Sequence, residues 1–127
     1  MLRHFLLASA LAGVATLAGA NDLDVPITEN PYRDCEAAWY SIGQVQGLNP
    51  DGDGFLSVRS GPGSHFRKLD EVYNGDRLTI YEARGDWFGV VYRDDGSDFG
   101  CSTTPRPLPY RFKGWVHRNW VRVLDIG

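Results

Sequence analysis

Beyond residue 20 no stretch of this chain sustains a helical period. Clusters of Gly, Pro, Asn and Asp interrupt it about every ten residues, which leaves room only for short strands and tight connections. The pattern predicts an all-β fold. A first strand is expected within Ala37–Leu48, followed by the tight loop Asn49-Pro50-Asp51-Gly52-Asp53-Gly54. In Phe55-Leu56-Ser57-Val58-Arg59 the residues alternate, so Leu56 and Val58 share one face and enter the core. Strands at Lys68–Tyr73 and Arg77–Ala83 flank Asn74-Gly75, a pair suited to a reversal, with Leu78 and Ile80 pointing inward. Trp87–Tyr92, Gly114–Val116 and Trp120–Leu124 complete a set of five to seven short strands. Asp34–Trp39 can form a brief helical turn.

The two ends of the chain set its expected compartment. Arg3 and His4 precede an apolar run from Phe5 to Leu17 that closes on Ala18-Gly19-Ala20, the pattern of a signal peptide over residues 1–20 with cleavage before Asn21. The run of about thirteen residues is too short to span a bilayer, so no membrane insertion is expected. No cysteine stands immediately after the cut, as acyl anchoring would require, and the product is expected to be periplasmic or secreted. Losing Arg3 takes the basic count from 13 to 12 against 16 acidic residues, a net charge of −4. Without a basic stripe, nucleic acid is not an expected partner. In an oxidising compartment an even cysteine count argues for a bridge, here Cys35 to Cys101. By loop entropy such a bridge contributes at most about 4 kcal/mol.

Four segments then occur in order: Leu56-Ser57-Val58-Arg59-Ser60-Gly61-Pro62-Gly63-Ser64, Asn74-Gly75-Asp76, Gly85-Asp86-Trp87-Phe88-Gly89-Val90 and Gly114-Trp115-Val116-His117, closing on Trp120-Val121. The series resembles the signature of the bacterial SH3 domains over roughly Gly54 to Val123. The resemblance implies a small SH3-like barrel that binds cell-wall peptide, peptidoglycan or a protein. Trp87 and Trp115 are large enough to fill so small a core. The expected organisation is an irregular leader over 21–36 and a barrel domain over 37–127, interrupted by an insertion at 93–113. That insertion is where this chain departs from the family pattern, and a Cys35–Cys101 bridge would fasten it to the leader.

The aromatic residues are the main functional lead. Tyr73, Trp87, Phe88, Tyr92, Tyr110, Trp115 and Trp120 are too many for the barrel to bury, so some should line a groove. In SH3 folds the groove lies between the loop after the first strand and the loop ahead of the central turn, here Asp51–Phe55 and Ala83–Trp87. Phe66, Trp87, Tyr110 and Trp120 are its expected walls, and Asp51, Asp53 and Asp86 its negative rim, suited to an amine or a basic peptide. Each of these aromatics could equally be a core or barrel-end plug. Pro105-Arg106-Pro107-Leu108-Pro109-Tyr110 favours an extended backbone and reads as a stiff surface loop, or as an internal ligand for that groove.

Asn49-Pro50-Asp51-Gly52-Asp53-Gly54-Phe55-Leu56 imitates the front of a calcium loop, but Ser60 stands at the twelfth place where a bidentate glutamate is required. It reads as a turn, and neither a metal nor a cofactor is expected. Beyond residue 20 the only histidines are His65 and His117, and neither belongs to a nucleophile motif. The resulting expectation is a monomeric, non-catalytic envelope module that binds cell-wall peptide or a periplasmic protein. The rival is an inhibitor or immunity-type protein acting on a toxin or wall hydrolase.

Overall fold

The computed structural model describes residues 23–30, 41–100 and 102–124. The expected signal segment, the turn at 34–39 and both cysteines of the expected bridge lie outside the described residues. Within them the chain is all-β apart from one short 3-10 turn. Nine strands form: β1 (Thr28–Glu29), β2 (Ser41–Val45), β3 (Leu56–Arg59), β4 (Lys68–Val72), β5 (Arg77–Arg84), β6 (Trp87–Val91), β7 (Arg106–Pro107), β8 (Lys113–His117) and β9 (Val121–Val123). Among the described residues no helix is long and apolar enough to cross a membrane.

Seven strands make one antiparallel sheet in the order β4-β3-β8-β6-β5-β2-β9. Its inner face follows from alternation in the sequence. In β3, Leu56 and Val58 are buried while Ser57 and Arg59 are only partly covered; in β5, Leu78 and Ile80 turn inward. These side chains pack with Val45, Val72, Phe88, Val90 and Val116 into the barrel interior. The reversal between β4 and β5 is closed by the Asp76 amide donating to the Tyr73 carbonyl, and Gly75 takes a φ of 94° that a side chain would resist. The β5–β6 hairpin turns at Gly85-Asp86.

A second apolar cluster lies outside the barrel. Ile27, Leu108 and Trp115 are almost fully buried, with Val25, Tyr81, Trp87, Val91 and Tyr110 packed around them. Trp115 therefore does not fill the barrel as expected: its neighbours Gly114 and Val116 face inward, and the pleat sends the indole to the outer face. Trp87 follows the same alternation on β6, opposite inward-facing Phe88.

What covers that outer face is the leader together with the insertion. β1 pairs antiparallel with β7, the Leu108 amide donates to the Ile27 carbonyl, and Arg106 forms an ion pair with Glu29 at 2.6 Å. The Trp115 indole N–H donates to the Val25 carbonyl at 2.9 Å. The proline-rich stretch is thus neither a free loop nor a groove ligand, because its backbone pairs with the leader. Gly89 makes the close approach possible, since a Cβ there would stand 2.9 Å from Ile27.

Candidate binding surfaces

The expected groove residues divide between separate parts of the molecule. At one end of the barrel the β5–β6 turn, which carries Asp86 and leads into Trp87, touches the 3-10 turn Arg118–Trp120. The Arg118 amide donates to the Asp86 carbonyl at 2.8 Å, and its guanidinium donates to the Gly85 carbonyl and lies over the Phe88 ring. His117 caps the turn by accepting from the Asn119 amide, and its ring meets Trp87 edge-on at 5.1 Å.

Trp120 is 41% exposed, with its indole against Gly47 and its carbonyl held by the Gln46 amide. From beside it departs the loop that carries Asp51 and Asp53, both exposed. That loop closes on itself: Asn49 accepts from the Asp51 amide through its side chain and from the Gly52 amide through its carbonyl. Ser60, at the would-be twelfth calcium position, is fully buried and donates to Asp24 in the leader. Arg118 places a cation within the rim expected to be acidic.

Phe66 and Tyr110 stand elsewhere. Phe66 folds back over Gly61 with His65 stacked on it at 4.3 Å. Tyr110 packs against Tyr81 and Phe99, with ring centroids 6.4 and 5.2 Å away, and shares the outer apolar cluster with Trp87. It lines a different feature, a pocket of about 380 Å³ between the outer faces of β5 and β6 and the insertion. Burial foremost, then the charge of Glu29, pushes the Tyr110 hydroxyl upward, so it stays protonated at neutral pH. Burial and a hydrogen bond donated to Asp70 raise Tyr92 far more strongly.

The signature segments named above sit at the structural positions that define this barrel, and the family model of the bacterial SH3 domain matches residues 54–122, more than half of the chain. The chain belongs to the bacterial SH3 domain family. No curated protein and no solved structure matches it. Bacterial SH3 domains are binding modules, not catalytic by themselves. In this SH3 domain the sequence reading missed the pocket beside Tyr110. A signal for it was present: β6 is apolar on both faces, as strands are when something covers their outer side.

Proposed function

We propose that this SH3 domain is a non-catalytic module of the cell envelope that holds peptidoglycan stem peptide or a protein partner at the Trp120 end of the barrel. The observation that carries the reading is Trp120 itself. A large indole stays 41% exposed although a Gly47 contact, a Gln46 hydrogen bond and the anchored 3-10 turn fix its position. Rigid, half-exposed aromatics of this kind supply much of the binding energy in recognition surfaces. Trp87, Asp86, Asp51 and Asp53 complete the proposed surface, while Phe66 and Tyr110 lie outside it. Export by the 1–20 segment, a Cys35–Cys101 bridge and a monomeric state are part of the same proposal.

The test is sedimentation of the mature protein with purified peptidoglycan, run beside capture from a periplasmic extract. Co-sedimentation that Trp120→Ala reduces at least about tenfold, with the melting temperature retained, supports the proposal. Recovery of one wall hydrolase or toxin, with no wall binding, replaces it with the inhibitor reading.

A further inference from the structure

The pocket beside Tyr110 presents an arginine at its edge in a chain that is acidic overall. The chain has a formal net charge of −3, yet the ionisable residues that line the pocket at neutral pH are Arg77, Arg93 and Asp94, two cations to one anion. Arg77 opens β5, is exposed, and forms no ion pair among the described residues. Arg93 is held in place by the rings of Tyr92 and Phe112, at 5.4 and 5.0 Å, and pairs with Asp70 at 3.5 Å, so Arg77 is the cation the pocket offers a ligand. The floor is the cross-strand pair Thr79 and Val91, and Tyr81 and Tyr110 form aromatic walls. Its volume falls within the range of roughly 300–1,000 Å³ that small ligands occupy.

We propose that this pocket, formed by the 93–113 insertion against the outer face of the barrel, is a second binding site for a small carboxylate-bearing ligand with a ring or flat body. Arginine is suited to the acid group, because its planar fork donates two parallel hydrogen bonds to a carboxylate. The tyrosine walls take the body by stacking, and the Tyr110 hydroxyl remains available as a donor. The site is distinct from the Trp120 surface and does not depend on it. The chemistry fits an acidic sugar or the free carboxy-terminus of a short peptide.

The test is NMR titration of the mature protein with two matched pairs: glucuronic acid with glucose, and acetyl-alanyl-alanine with its amide. Saturable shifts of the Thr79 and Val91 amides with either acid, at least about tenfold weaker with its neutral partner, are expected. The responding pair identifies the source of the carboxylate. Arg77→Gln, at an exposed position that leaves the core untouched, weakens that binding about tenfold. The proposal is overturned by equal binding of acid and neutral partner, by shifts confined to other residues, or by no saturation up to concentrations on the order of 10 mM.

Discussion

The middle of β6 and β8 is covered on both faces, and the two burials differ in kind. The inner face is closed by strands of the same barrel, so Leu78, Val90 and Val116 meet through alternation within a continuous ladder. The outer face is closed by two segments distant in sequence, the leader at 23–30 and the insertion around Leu108, which reach each other through a pair of two-residue strands. The interior is expected to open only with the whole barrel, and the cover is expected to lift while the barrel stays folded. A barrel of this family has thereby gained a second layer, and with it a pocket.

Leu78→Ala is the strongest way to break the comparison. Leu78 is 1% exposed within the interior, and truncating such a leucine costs about 2–5 kcal/mol in transfer and cavity terms. For a domain of this size the melting temperature should fall by about 10 °C or more, with all probes moving together. Calorimetry and far-ultraviolet dichroism check this, and a smaller, probe-dependent change would mean the interior is not one cooperative unit.

Ile27→Ala removes a side chain that is equally buried, yet its effect on global stability should be smaller. Its loss is capped by the free energy that docks the leader, because beyond that limit the segment simply undocks. Protection of the Val25 and Leu108 amides against hydrogen exchange should drop, while that of β5 and β6 holds. The Trp115 indole, no longer tied to the Val25 carbonyl, should emit at longer wavelength. Equal loss of protection in β5 would show that the two layers fold as one.

The same contrast explains what was legible in the sequence. Leu56 with Val58, and Leu78 with Ile80, announce the inner face because period-two alternation within one strand is a local property. The turns at Asn74-Gly75 and Gly85-Asp86 are local as well, and they set the hairpins. Which face Trp115 takes was also written in Gly114-Trp115-Val116, but size alone pointed to the barrel interior and the pleat decided otherwise. That Ile27, which alternates with Leu23 and Val25 along the leader, seals Trp115 depends on pairing across the chain between Thr28 and Pro107, which the leader's own pattern does not reveal. The candidate surfaces divide likewise. Trp120 follows from the signature, whereas the Tyr110 pocket exists only because the insertion folds back.

The smallest expected effect is a pH dependence confined to the cover. A hydrogen bond from Ser60, and then Arg67, hold the Asp24 carboxyl below its ordinary 3.8, so the ionised form is favoured in the docked leader. A carboxyl depressed on folding contributes stability that is fully present above the unfolded value near 3.8 and disappears as pH falls through the lower folded value. Acidification through that window should therefore loosen the leader. Asp70 titrates in the same direction: burial opposes its ionised form, but the Glu71 amide, the Tyr92 hydroxyl and Arg93 outweigh that and lower it. Its partners lie on the β4 and β6 side, so a global melt mixes both groups. Trp115 emission separates them, since it reports the leader through Val25. Below about pH 4 the wild-type emission should shift to longer wavelength, and Asp24→Asn should flatten that dependence while leaving the acid response of overall stability in place. If Asp24→Asn left the emission profile unchanged, the leader would be held by its apolar contacts alone and the Ser60–Asp24 link would be incidental to it.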